Sequence, residues 1–292
     1  MSMAQPLFSD PDWPVGDPPE GMPPVPPTQD ELPCDDGEPM ETQRHKWQMD
    51  LLIDALDLWL QEKGEGYTNG NMFVYFSLEQ TRGRHFRGPD VFVVLGVPRG
   101  ERKSWVVWEQ GKAPDVVIEL LSRSTAASDK GEKKQIYQDR MRVPEYFWFD
   151  PFNPEDRAGF QLTDGVYQPI ERDGQDRLHS PLLGLTLVLW QGDYLGIEGT
   201  WLRWAMPDGV PLPTHAEAAW NAAENALQRA ETQTQLAQEQ TRLAQEQTRL
   251  AEEQRRFAQA QQALARTERE RAERAETELA RLMALLEGDK PR

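Results

Sequence analysis

The 292-residue chain contains a single cysteine, Cys34, and only four histidines. One thiol excludes an internal disulfide and fits a reducing compartment. With no cysteine cluster, a structural zinc site is not expected. No stretch approaches the eighteen or more consecutive apolar residues of a membrane-spanning helix, so no membrane partner is expected. Basic residues are missing altogether from residues 1–43, which carry ten acids. Residues 1–39 hold eleven of the 23 prolines, nine acids and few large apolar side chains. Such a composition buries too little apolar surface to offset chain entropy, and the segment reads as a disordered arm. It lacks the basic start, apolar segment and small-residue cleavage site of a secretory signal, so a cytoplasmic location is the expectation.

A surplus of positive charge is missing too. The net charge of −17 argues against a nucleic-acid partner until its distribution is read. Residues 1–43 contribute −10, residues 44–215 only −5 and residues 216–292 only −2. The candidate core is mildly acidic, and part of that excess belongs to carboxylates that could await a cation. DNA binding is permitted by charge rather than indicated by it.

What the chain does contain is a set of short apolar runs, one of them interrupted by an acid. Glu119 lies inside Val116-Val117-Ile118-Glu119-Leu120-Leu121, a run that reads as a strand covered on both faces. Burying a polar group there costs about 2–7 kcal/mol unless it is paired, and an ionised one costs more. A metal ion or a cationic side chain is the usual compensation. Asp90, after Pro89, opens a second apolar strand, Val91 to Leu95, and Lys133 lies on an expected helix downstream. Two carboxylates on neighbouring strands and a lysine make a metal-dependent hydrolytic site if the fold unites them.

The remaining elements follow from periodicity. Apolar residues from Thr42 to Gln61 recur at helical intervals, and Gly64-Glu65-Gly66 ends that helix. Strands are expected over Asn71–Ser77, Asp90–Leu95, Pro114–Leu121, Glu145–Phe149 and Leu185–Trp190, with a hydroxyl-rich turn at Ser124–Ser128 and a helix over Glu132–Met141. Asp164-Gly165 between two apolar runs signals a hairpin. One helix, three strands, a helix and a strand, then an appended hairpin, make an α/β domain with a mixed central sheet. The boundaries expected are 1–39 for the arm, 40–212 for this domain and 213–287 for a long helix.

That helix opens with a capping box, Thr214-His215-Ala216-Glu217. Leu236, Leu243, Leu250, Phe257 and Leu264 then recur every seven residues, and the phase slips to Ala272, Leu279 and Leu286. The recurrence argues for a coiled coil. Its second seam position is Gln240, Gln247 and Gln254 in one frame and Glu239, Glu246 and Glu253 in the other, so a single solvated helix is the alternative. A concentration-dependent homodimer through residues 214–287, or pairing with a related coiled coil, is expected.

Residues 89–151 carry more specific information. Pro89-Asp90-Val91-Phe92-Val93-Val94, Pro114-Asp115-Val116-Val117-Ile118-Glu119-Leu120-Leu121-Ser122 with Ser124-Thr125, then Asp129, Glu132-Lys133 and Tyr137, and Val143-Pro144-Glu145-Tyr146-Phe147-Trp148-Phe149-Asp150-Pro151 follow one another at set spacings. In this order they resemble the Uma-two-type restriction endonuclease family of the PD-(D/E)xK nuclease-like superfamily, over roughly residues 41–205. The resemblance implies a restriction-endonuclease-like αβββαβ core and Mg2+-dependent (or Mn2+-dependent) hydrolysis of phosphodiesters. It matches Asp90 and Glu119 to the two acidic strand motifs and Glu41 to a helix glutamate that completes the metal cluster. The lysine usual two residues after the second acid is Leu121 here, and the family's displaced lysine matches Lys133.

Each of these residues also has an ordinary reading. Asp90 after proline is a common turn former, and Asp115 reads as a strand-entry residue. Lys133 and Lys134 resemble a solvated pair, but Lys133 shares a face with Ile136 and Tyr137, leaving Lys134 and Lys130 as fallbacks. His45 reads as a packed histidine outside the metal set. Arg82, Arg84 and Arg87 suit either phosphate contact or plain surface. The displaced lysine and acidic surface also admit a catalytically silent nucleic-acid-binding or scaffold module that recruits partners through its long helix.

Overall fold

Alternating burial along a few short strands positions everything that follows. The computed structural model describes residues 26–32, 42–77 and 86–288. Helix α1 (Gln43–Lys63) starts at Thr42, whose side chain accepts from the His45 N–H, and stops at Gly64, which adopts φ +80°. Left-handed backbone at that point favours glycine because it has no Cβ. There follow β1 (Tyr67–Asn69), β2 (Val74–Tyr75), β3 (Phe86–Arg87), β4 (Val91–Val94), β5 (Trp105–Val106), a short helical turn Val107–Gln110 and β6 (Val116–Leu120). A helical run then covers 126–141, after which come β7 (Glu145–Phe149), β8 (Arg157–Thr163) and β9 (Val166–Ile170). β10 (Leu178–Ser180), β11 (Leu185–Tyr194) and β12 (Ile197–Ala205) precede the terminal helix, His215–Gly288.

Six strands form the central sheet in the order β1-β4-β6-β7-β8-β9. β6 and β7 are parallel and the other neighbours antiparallel. The parallel pair needs a crossover, which the 126–141 helix supplies. Taken along the chain, α1, β1, β4, β6, this crossover helix and β7 make an αβββαβ core in a mixed sheet, as expected from the sequence.

Both faces of the sheet are covered, which explains the unbroken apolar runs. Val116, Ile118 and Leu120 pack with Leu52, Leu56 and the β10–β12 sheet. Val117 faces the other way, with Phe92, Tyr137 and Tyr146. Two-residue alternation therefore puts Glu119 on the face of Val117, beneath the crossover helix.

Several elements differ from the sequence expectation. The strand expected at Asn71–Ser77 shrinks to β2, which joins a small sheet with β3 and β5, while the edge of the central sheet is β1. Tyr67–Asn69 is too short to show a pattern, and only its antiparallel ladder with β4 defines it. The hairpin at Asp164-Gly165, at φ +52° and +85°, is present but extends the central sheet rather than standing apart. β11 runs to Tyr194 and pairs with β12, where the sequence reading ended its last strand at Trp190.

Residues up to Ala218 belong to one compact unit and those from Ala219 onward to a second. The capping box forms as read: the Glu217 N–H donates to Thr214 Oγ1 at 3.1 Å, and the Thr214 N–H to Glu217 Oε2 at 2.8 Å. Among the described residues, no helix is long and apolar enough to cross a membrane.

Candidate active site

β4 and β6 run antiparallel with Val91 opposite Ile118. One step further in the same register sets Asp90 opposite Glu119, and the Leu120 N–H donates to Asp90 Oδ2 at 2.7 Å. A close backbone approach supports this end of β4. A Cβ on Gly70 would lie 1.9 Å from the Asp90 carbonyl oxygen, so only glycine fits there.

Above the two acids lies the crossover helix, which alternates α turns (Ala126–Ser128, Lys134–Ile136) with π turns (Asp129–Lys133, Tyr137–Met141). Four residues overshoot one α turn and fall short of one π turn. The alternation therefore keeps Asp129, Lys133 and Tyr137 in one row along the face that meets Glu119. Lys133 Nζ lies 2.7 Å from Asp129 Oδ1 and 3.3 Å from Glu119 Oε2. The Tyr137 hydroxyl donates to Glu119 Oε1 at 2.7 Å. Tyr146, whose ring lies 5.3 Å from that of Tyr137, donates to the Asp129 carbonyl at 2.8 Å.

Glu119 and Asp129 are both fully buried, and Asp90 is partly exposed. Neither carboxylate oxygen of Asp129 has a hydrogen-bond partner, so its ion contact with Lys133 is its compensation. Three acids thus face one ammonium. Burial pushes Glu119 up to about 8, opposed by Lys133 and the Tyr137 hydrogen bond and reinforced by Asp90 and Asp129. Burial likewise raises Asp90 to about 6, against the Leu120 N–H and Lys133. Loss of hydration disfavours the Lys133 ammonium, but Glu119, Asp129 and Asp90 outweigh it and hold the lysine charged. Burial and mutual repulsion together make the Asp90–Glu119 pair hold a proton more tightly than exposed carboxyls do.

The facing carboxylates of Asp90 and Glu119 are hard oxygen donors, the kind that bind a divalent cation such as Mg2+ or Mn2+. Among the described residues no three His, Cys, Asp or Glu side chains converge on one point. Asp90 and Glu119 supply two carboxylates. Glu41, the third ligand expected from the sequence, lies outside the described residues, as do Arg82 and Arg84.

The other candidates have structural partners. His45 donates from Nε2 to the Leu121 carbonyl at 2.9 Å, which leaves Nδ1 to accept from Thr42 Oγ1 at 2.8 Å. Both nitrogens are used, and the ring ties α1 to the end of β6. Asp115 accepts from the Leu95 N–H and pairs with Lys112, each at 2.7 Å, as a strand-entry residue would. Lys130 pairs with Asp156, and Lys134 lies over the Phe160 ring. Arg87 reaches Glu132 on the crossover helix.

Asp129 and Tyr137 are the residues that sequence reasoning left without a role. With the turn ended at Ser128 and the helix begun at Glu132, Asp129 fell between the two. The Asp-x3-Lys-x3-Tyr spacing was the available signal, and it acquires meaning only once the helix extends back to Ala126.

The family model described as "Uma2: Putative restriction endonuclease" matches residues 27–190. A comparison with curated proteins returns no match. Among solved structures, the chain is similar to a putative nuclease belonging to DUF820 from Anabaena variabilis ATCC 29413. That likeness has 16% identity and a TM-score of 0.38, covering 53% of this chain and 90% of the other.

Proposed function

Because the chain belongs to the Uma2 family of putative restriction endonucleases, a nuclease family, we propose that it is a metal-dependent endonuclease that hydrolyses phosphodiester bonds, with DNA the favoured substrate. The facing pair Asp90 and Glu119, with the Lys133 ammonium 3.3 Å from Glu119, carries this reading. Asp90 and Glu119, with Glu41 as third candidate, would hold Mg2+ or Mn2+. When bound, such an ion polarises a phosphoryl oxygen and lowers the pKa of water.

The protein's own groups do the rest. Tyr137 fixes one oxygen of Glu119 and the Leu120 N–H one oxygen of Asp90, so both carboxylates are oriented before any ligand arrives. Lys133 is partly exposed and offers a positive charge to the extra negative charge that develops around phosphorus. Asp129, in 2.7 Å contact, holds that ammonium in place and acts as a positioning residue.

The test is cleavage of plasmid and single-stranded DNA with Mn2+, alongside calorimetric Mn2+ titration. Asp90→Ala and Glu119→Ala should abolish cleavage and weaken metal binding. Lys133→Met should keep the metal while the rate falls on the order of a hundredfold or more. Cleavage that survives Glu119→Ala would end the assignment. A metal affinity indifferent to Glu119, with no cleavage by the unaltered protein, would favour the catalytically silent binding module. Turnover of small phosphodiesters alone would move the substrate away from nucleic acid.

A further inference from the structure

The terminal helix leaves its heptad leucines in water. Leu243 and Leu250 are 47% exposed and Phe257 67%. We propose that this stripe is covered by the same stripe of a second copy, the two helices lying parallel and in register. The inference rests on the helix alone and is independent of the nuclease reading.

Three features select this occupant and this direction. With the leucines at seam position d, position a is Gln240, Gln247, Gln254 and also Gln261. In a parallel in-register pair, like layers meet like. Leucine packs on leucine, and each glutamine amide meets its own copy, donor to acceptor. An antiparallel pair would set every glutamine layer against leucine and leave buried amides without partners, which is unfavourable.

Charge points the same way. In this frame Glu239, Glu246 and Glu253 occupy position g, and the alanines Ala237, Ala244 and Ala251 occupy position e. Parallel helices oppose g to e, here glutamate to alanine. Antiparallel helices oppose g to g, here glutamate to glutamate.

A four-residue phase shift follows Leu264, and Ala272, Ala275, Leu279 and Leu282 resume the seam. The new frame sets Arg271 at g and Glu276 at the next e, five residues on, the positions that join across a parallel pair. Within its own helix Glu276 has no basic neighbour three or four residues away, since those positions are Ala272, Glu273, Leu279 and Ala280. Its complement is Arg271 of the second copy, and the pair occurs twice per dimer. Parallel pairing also starts both terminal helices at the same end.

The full-length chain with Cys34→Ser tests this through two separate variants, Leu236→Cys and Gln261→Cys, positions that meet their own copies in a parallel pair and each other in an antiparallel one. Each alone should cross-link to its own copy under mild oxidation, and sedimentation equilibrium should show a reversible dimer under reducing conditions. Cross-linking only when the two variants are mixed would mean an antiparallel pair and overturn the proposal. A monomer at all concentrations would overturn it as well. Arg271→Glu should weaken the dimer on the order of five- to tenfold, and adding Glu276→Arg should restore it. Failure of that restoration would refute the pairing of these two residues in a parallel dimer.

Discussion

Glu119 concentrates the cost of the site. A carboxyl with no exposure sits beside Asp90 and Asp129 with one lysine to share, and it answers by holding a proton up to about pH 8. Because its folded pKa lies above the ordinary value of 4.5, the stability linked to its protonation is complete below that value. It is lost as pH rises through about 8. Thermal unfolding of Glu119→Gln beside the parent at pH 5, 7 and 9, without divalent metal, should show this. The variant, which keeps an acceptor for Tyr137, should gain on the parent as pH rises and be the more stable at pH 9. Mn2+ affinity of the parent should climb over the same window, with proton release on binding detectable by calorimetry in buffers of different ionisation enthalpy. A pH-independent difference between the two proteins would mean that Glu119 ionises normally.

At the scale of elements, the site depends on how closely two segments approach. The Gly70 backbone rests on the Asp90 carbonyl, and the Asn71 N–H donates to the Pro89 carbonyl at 3.0 Å. Gly70→Ala would drive a methyl into backbone and displace the start of β4. The expected outcome is a loss of about 2 kcal/mol or more in urea unfolding, in the range of overpacked sites. Mn2+ affinity should fall too, although no charged residue has changed. Retention of parental affinity would show that Asp90 is held by its strand partners without this contact. The crossover helix is the second such element. Its π turns align Asp129, Lys133 and Tyr137, a row that a regular α-helix would twist away from Glu119.

The whole molecule divides near Ala218, but the N-terminal unit borrows the first turn of the long helix. Arg203 on β12 is buried and pairs with Glu217 while donating to the Leu212 carbonyl at 2.8 Å. A chain shortened after Ala218 keeps this pair, and one shortened after Pro213 leaves a buried guanidinium without its carboxylate. Breaking a fully buried pair costs about 3–5 kcal/mol. Glu217 is 43% exposed, so screening reduces that figure. We expect the shorter protein to be less stable by about 2 kcal/mol in chemical denaturation, with the longer one matching the parent's N-terminal unit. Equal stability would mean that water replaces Glu217 without loss.

Patterns confined to neighbouring residues were decided by the sequence alone. α1 between Thr42 and Gly64, the buried runs of β4 and β6, the Asp164-Gly165 hairpin and the capping box at Thr214 each rest on local periodicity, a cap or a turn, and so could be read from the chain. Glu119 was legible for a related reason, since a charge inside an apolar run costs too much to be accidental, whereas Asp90 and Glu41 were picked out by the family resemblance. Tertiary structure alone decided which segment paired with which. β1 has three residues and no pattern, and its place at the sheet edge depends on a ladder to β4 across more than twenty residues of chain. The antiparallel register that sets Asp90 against Glu119 is of the same kind. So is the widened helix that brings in Asp129 and Tyr137, because a π turn is selected by what its side chains meet across the core rather than by the propensities of its own residues.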